Sequence, residues 1–301
     1  MIYFDKRFTF CDIIMRMELN ELRMFMAVAR EGSVTRAAEK MYCVQSNVTA
    51  RIRQLEEQLG TSLFHRRNRG MHLTASGELL LEYAEKIINL TVEAEQAVRE
   101  QDGQRARLAI GSMETTAAVR LPELLARYHR HYPGVELSLQ TCTSEEGITR
   151  LLDYQLDGAF VGCEVSHEDL VAEKAFDEEL AMVVAPEVGV GQNGTTTILV
   201  FRSGCAYRSR LEDWLKQAGQ VPYRVMELGS IEAILGCVAA GMGISFLPRS
   251  VVDLSRFSGA VECRALPPDV GTVVTWFVRR KSARERSAMK NFRDLISSTL
   301  S

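Results

Sequence analysis

Six polar residues on one short stretch carry the clearest chemistry in this chain. Gln45, Ser46, Asn47, Thr49, Arg51 and Arg53 are interleaved with apolar Val48, Ile52, Leu55 and Leu59, which recur at i, i+4, i+7 and i+11 before Gly60. That period gathers the apolar residues on one face of a helix and leaves the polar ones on the others. Side chains of these types pair with base edges in a DNA major groove. Arg66, Arg67 and Arg69 follow in a short basic turn, where guanidinium groups can lie along phosphates or enter a minor groove. A solvated loop is the plainer reading of that turn, but the helix just before it favours DNA contact.

The flanking elements would hold these residues in place. Ala27-Val28-Ala29-Arg30-Glu31-Gly32-Ser33 closes one helix and caps the next. Thr35 to Met41 is a short second helix, whose small Ala37 and Ala38 let a third cross closely. Tyr42-Cys43-Val44 turns into that third helix, and Leu63-Phe64 to Leu73 reads as two strands of a wing around Arg66-Arg67-Asn68-Arg69-Gly70. The order is that of a winged helix-turn-helix, with Ser33, Thr35 and Arg36 as further candidate DNA contacts.

At these residues the chain resembles the LysR-type transcriptional regulators. That pattern runs L-x-x-F, A-x-x-G-S-hydrophobic-T-x-A-A, Q-x-x-hydrophobic-S/T-x-x-I-x-x-L-E-x-x-L-G, L-F-x-R and L-T-x-x-G. Here the pieces are Leu22 to Phe25, Ala29 to Ala38, Gln45 to Gly60, Leu63 to Arg66 and Leu73 to Gly77, in the same order and spacing. Val44 stands where a serine is common, and Ser46 where a proline is common. The resemblance covers nearly all of the chain after Met17. It implies a DNA-binding regulator with a two-lobed α/β effector domain like type 2 periplasmic binding proteins, assembled as a dimer of dimers.

The net charge of −3 alone argues against a nucleic-acid binder, but the balance is uneven. Arginines crowd the helix and wing, while acids such as Glu145, Glu146, Glu164, Glu168, Glu173, Asp177, Glu178 and Glu179 lie further on, and local charge governs attraction to phosphate. No apolar run reaches the roughly 20 residues that span a bilayer. Residues 1–16 lack the continuous apolar core of a signal peptide; they read as an upstream extension or as a poorly ordered tail. The seven cysteines are scattered and form no C-x-x-C pair, which fits free thiols in a reducing cytoplasm.

Thr74 suits the N-cap of a helix from about Ala75 to Gln101, with Leu79, Leu80, Tyr83, Ile87, Leu90, Ala94 and Val98 on one side. A small winged domain cannot cover that stripe, so pairing with the same helix of a second copy is expected, and with it an operator that is an imperfect inverted repeat. Packing on its own C-terminal domain is the alternative. From Arg107 onward, strands alternate with helices, implying a mainly parallel sheet. The expected fold class is thus a multidomain α+β chain: a possible extension 1–16, a winged helix-turn-helix 17–74, a linker and dimerisation helix 75–104, and an effector domain 105–301. Its first lobe is expected over about 107–183 and 271–301, its second over about 184–270.

In such a fold ligands sit between the lobes, at strand C-termini and helix N-termini. Four loops should meet there: Ser112-Met113-Glu114-Thr115 with Thr116, Thr141-Cys142-Thr143, the loop of Cys205 and Tyr207, and Gly229-Ser230. The candidate effector contacts are Ser112, Met113, Glu114, Thr115, Thr141, Thr143, Cys205, Tyr207, Gly229 and Ser230. Backbone N–H groups at helix starts suit a small anion, although each loop alone is more simply an N-cap. Cys142, Cys163 and Cys205 lie near strand ends, so a thiol switch is the alternative sensing mode, with the helix start expected to lower the Cys205 pKa.

No motif of a hydrolase nucleophile, phosphate-binding loop or zinc protease is present, so no enzyme activity, cofactor or metal site is expected. The expected partners are double-stranded operator DNA, a small-molecule effector, further copies of the chain and, in an activator, RNA polymerase, with no membrane. A solute-binding protein would share the lobes but not the winged domain. A constitutive DNA binder with a vestigial cleft would share everything except ligand response.

Overall fold

The computed structural model describes residues 17–67, 70–101, 106–186, 196–281 and 286–299. Residues 1–16, Arg69 and positions 102–104 at the end of the expected linker lie outside them. The chain forms two compact units that divide between Glu95 and Gln96.

The first unit opens with α1 (Leu19–Glu31), α2 (Val34–Lys40) and α3 (Gln45–Leu59). Leu22, Phe25 and Val28 of α1 close over Ala37 and Ala38 of α2 and over Val48, Ile52 and Leu55 of α3. Leu59, expected on the same stripe, is 43% exposed at the end of the helix. β1 (Phe64–Arg67) and β2 (Gly70–Leu73) form the wing, an antiparallel hairpin in which Arg67 pairs with Gly70. Gly32 ends α1 with φ +59, and its carbonyl accepts from Met71 N–H at 3.0 Å, so the helix cap also docks the wing.

Thr74 starts α4 (Ala75–Gln101) as expected: its hydroxyl accepts from Gly77 N–H at 3.0 Å and donates to the Ser62 carbonyl at 2.8 Å. Ala84 of α4 is buried in the winged core, with Leu80, Leu81, Ile87 and Ile88 packed beside it. Leu79, Tyr83 and Leu90 stay exposed. The single apolar side expected for this helix is therefore two, one inward and one uncovered in the protomer.

The second unit is built on a mixed sheet, so the expectation of a mainly parallel one is corrected. β3 (Arg107–Ser112) pairs in parallel with β4 (Glu136–Thr141) and β5 (Gly158–Val161). β11 (Thr272–Arg280) joins β5 and the fifteen-residue β6 (Leu170–Val184) antiparallel. β6 pairs with β11 as far as Glu179; from Leu180 it pairs antiparallel with β9 (Ser245–Pro248), and from Ala181 with β10 (Glu262–Ala265). One strand thus belongs to two sheets, and its partner changes a few residues before the boundary expected at 183. β7 (Thr197–Val200) and β8 (Arg224–Glu227) form a parallel pair, tied through Leu199 N–H to the Ile244 carbonyl at 2.8 Å.

Helices α5 (Glu114–Val119), α6 (Leu121–His131), α7 (Ser144–Leu152) and α12 (Ser287–Thr299) belong to the first lobe. Its core is aromatic, with Phe160 at 5.0 Å from Phe277 and Tyr128 edge-on to Phe292. α8 (Ala206–Gln217), α9 (Ile231–Ala239) and the short α10 (Arg249–Asp253) belong to the second, where Leu199, Ile234, Leu235 and Leu247 share one core. α11 (Pro268–Gly271) leads back into β11.

Gly77 fixes where α4 can start, because a Cβ there would lie 2.2 Å from the Leu63 carbonyl oxygen. That contact is backbone and cannot swing aside. Gly77→Ala is expected to destabilise the first unit by on the order of 1–3 kcal/mol, the usual cost of overpacking. Hydrogen exchange of the α4 amides reads this directly; unchanged protection would contradict the close approach.

Candidate functional site

The residues proposed to read DNA converge on the first turns of α3. Gln45, Ser46, Asn47 and Arg53 are exposed, while Val48, Ile52 and Leu55 anchor the helix from behind. Val44 occupies the N-cap without a side-chain hydrogen bond. Thr49 donates its hydroxyl to the Gln45 carbonyl at 2.9 Å, which turns part of its capacity inward. In α2, Ser33 caps the helix by accepting from Arg36 N–H, Thr35 is exposed, and the Arg36 guanidinium donates to the Glu31 carbonyl at the end of α1.

Arg51 is corrected. Its guanidinium lies 3.3 Å from Glu18 and 3.6 Å from Glu21, a carboxylate with 0% exposure. A buried charge needs a partner, so Arg51 ties α3 to the start of α1 while its side chain stays 34% exposed. Arg66 and Arg67 fall on β1 at the wing; Arg69 lies outside the described residues. One outward residue escaped the sequence reading. Tyr42, in the turn before α3, is 98% exposed with φ +53, a left-handed conformation that favours Gly or Asn.

The second site is a cavity of about 320 Å³ between the two lobes. Met113, Glu114, Thr115, Thr141, Thr143, Cys205, Tyr207 and Gly229 line it, and they come from the four loops expected to meet. Ser112 and Ser230 do not. Ser112 is fully buried and donates to the Met113 carbonyl, because it sits on β3 itself. Ser230 caps α9 by accepting from Ala233 N–H at 3.2 Å. Phe201, Arg202, Glu227 and Leu228 line the cavity too and were missed. Their only signal was their place just at or beyond the ends of β7 and β8.

The helix starts expected to receive an anion are largely filled by the chain. Glu114 Oε1 accepts from Ile231 N–H at 3.0 Å, across the cleft at the start of α9. Thr143 and Glu146 close a capping box on α7, at 3.2 and 3.0 Å. Glu146 also takes Arg202 from the opposite lobe, and Gly204 accepts from Glu145 N–H at 3.4 Å. Burial pushes the Glu146 carboxyl up, but the Thr143 N–H and Arg202 outweigh it and hold it below the usual carboxylate range. Behind the cavity the Tyr207 hydroxyl faces Thr115 and Thr275, yet the oxygens of all three lack a formed hydrogen bond. Burial pushes the Tyr207 phenol far up.

The thiols argue against the switch alternative. Burial raises the Cys205 pKa, and the Arg208 and Tyr207 N–H groups at the helix start only partly oppose it, so the expected lowering is corrected. Cys142 and Cys163 are raised by burial as well. A raised pKa leaves little nucleophilic thiolate near neutral pH. Among the described residues no group of three or more metal-ligating side chains forms, and no helix is long and apolar enough to cross a membrane.

Residues 19–78 match the family model described as bacterial regulatory helix-turn-helix protein, lysR family, and residues 101–301 match that of the LysR substrate binding domain. The uncharacterized HTH-type transcriptional regulator YusT of Bacillus subtilis (strain 168) is 48% identical over 279 residues, covering 92% of this chain and 95% of that one. The HTH-type transcriptional regulator GltR of the same organism is 44% identical over 280 residues, with 92% and 95% covered. Among solved structures, CbnR, a LysR family transcriptional regulator, superposes with a TM-score of 0.70 at 22% identity, covering 95% of this chain and all of its own. CbnR complexed with its target DNA gives 0.69 at 23% identity, over 94% of this chain. These structures share the fold of both units described above, and with the two family models and the curated relatives they lead to one assignment: the chain belongs to the LysR family of bacterial transcriptional regulators.

Proposed function

We propose that this regulator binds a specific DNA operator as a homodimer or a pair of dimers, in the cytoplasm, and that a small molecule held between the lobes sets its output. The winged domain 17–74 reads DNA, the linker 75–104 pairs copies and the region 105–301 takes the effector. The observation that carries the DNA reading is the start of α3, where exposed Gln45, Ser46, Asn47 and Arg53 stand on a helix anchored by a buried apolar face. Amides and hydroxyls at such a place hydrogen-bond to base edges, and guanidinium groups neutralise phosphates. The cavity supports the effector reading, since it is enclosed by loops of both lobes and latched across by groups from each. A ligand that favours the closed lobes shifts the population toward them.

Arg53→Ala is expected to lower the salt dependence of binding by close to 1 in log–log slope, as for one lost phosphate contact. Asn47→Ala is expected to cost about 1–3 kcal/mol and to change sequence preference. Arg51→Ala acts differently, by stranding Glu21, and lowers stability by on the order of 1–3 kcal/mol. The probe is the duplex that the wild-type protein selects from a random library. Salt titrations that leave Arg53→Ala and Asn47→Ala indistinguishable from wild type would rule α3 out as the reading element.

Leu79 and Leu90 lie exposed on α4 of the single protomer. Leu79→Glu with Leu90→Glu should therefore leave the protomer's circular dichroism unchanged. Analytical ultracentrifugation should show the assembly falling to monomers. Persistence of the dimer would place its interface elsewhere.

A further inference from the structure

We infer that the cleft is built for a cation: a protonated amine on a small apolar body, its ammonium held by Glu114 and the hydroxyls of Thr115 and Tyr207. The inference rests on the reading of this cleft as the effector site and adds the charge of the ligand to it.

The charges around the cavity are not evenly settled. Glu227 pairs with Arg208 at 2.7 Å, and Arg202, the one cation of the lining among the described residues, pairs with Glu146. Glu114 faces no cationic side chain among the described residues. Its one hydrogen bond, from Ile231 N–H through Oε1, brings only the partial positive charge of a helix start. Its other oxygen, Oε2, accepts no hydrogen bond from the described residues.

Two further atoms point the same way. Thr115 and Tyr207 line the same cavity and are each 3% exposed; their hydroxyl oxygens lie just behind its wall, facing each other, and neither has a formed hydrogen bond. Buried hydroxyls without a partner are costly, and their oxygens can accept. An ammonium brings three donors and no acceptor, a match for one carboxylate oxygen and two hydroxyl oxygens. Met113, Phe201 and Leu228 offer apolar contact to the rest of the ligand. A carboxylate of the same size would find α9 already capped by Glu114 and would meet that like charge in a half-enclosed space.

The experiment uses three probes of one size and different charge: benzylamine, benzyl alcohol and benzoate. Each is titrated into the full chain at pH 7 by calorimetry. Benzylamine is expected to bind about tenfold more tightly than benzyl alcohol, as a charged hydrogen bond allows, and benzoate to bind most weakly. Glu114→Gln keeps an oxygen for Ile231 N–H, so the latch and fold stay, as its melting curve would show. It should erase the preference for the amine over the alcohol. Tyr207→Phe should weaken the amine and leave the alcohol-to-benzoate order unchanged. Benzoate binding as tightly as benzylamine, or an amine preference that survives Glu114→Gln, would overturn the proposal. In that event, binding blocked by Thr143→Trp leaves the cleft standing as the effector site and removes only its charge class. No binding by any of the three probes removes the cleft reading with it.

Discussion

The pairing of β6 sets where everything in the second unit can be. As far as Glu179 the strand hydrogen-bonds to β11, and beyond it to β9 and β10, so one extended segment serves both lobes. A strand cannot bend sharply without a bulge or a break in its ladder, and this one keeps both. Its ladder with β11 shifts register between Thr275 and Trp276, opposite Phe176 and Lys174 and ahead of the partner change at Leu180. The lobes are therefore joined by continuous backbone through β6. The loops that end β3, β4, β7 and β8 face one another across the cleft, and the cavity between them follows from that topology rather than from any one side chain.

The same strand explains why net charge misleads. Each of its acids has a basic partner: Glu173 has Arg279 and Arg293, Asp177 has Lys174 of the same strand, Glu178 has Arg120 and Glu179 has Arg249. Glu178 is 6% exposed and receives two hydrogen bonds from Arg120, at 2.9 and 3.0 Å. These carboxylates thus contribute little free field, and several of the chain's arginines are spent on them. The arginines left outward on the first unit decide what it attracts.

The winged domain was legible because each of its constraints is local. The stripe of Val48, Ile52 and Leu55, the cap at Thr74 and the close approach at Gly77 are set by residues within a few turns of one another. β6 was not legible over Leu170–Glu179, because its outward acids broke the apolar pattern and their arginine partners are distant in sequence. The cleft was half legible. Loops after β3 and β4 could be placed from strand ends, but Phe201, Arg202, Glu227 and Leu228 depend on where β7 and β8 stop, to within a residue. Ser112 shows the same error in the other direction: one position back along β3, it is backbone ladder and core rather than cavity. The Arg51 ion pair was not legible either, because helical periodicity says which face a residue takes, not whether a buried acid from another helix waits there.

The latches across the cleft must be weak for the molecule to respond. Arg202 and Glu146 are both more than a third exposed, and an exposed ion pair contributes only about 0.2–1 kcal/mol. The Glu145 N–H to Gly204 contact is long at 3.4 Å, and Glu114 on Ile231 adds a single hydrogen bond. Together these favour closure by no more than a few kcal/mol, on the scale of about 0.5–1.5 kcal/mol for each net hydrogen bond. To move a two-state equilibrium from one extreme to the other, a ligand needs about 5.5 kcal/mol of differential affinity. That is within reach of a small molecule that satisfies two stranded hydroxyls and one underpaired carboxylate. Stronger latches would fix the lobes shut whatever was bound, whereas those present leave the balance to the ligand.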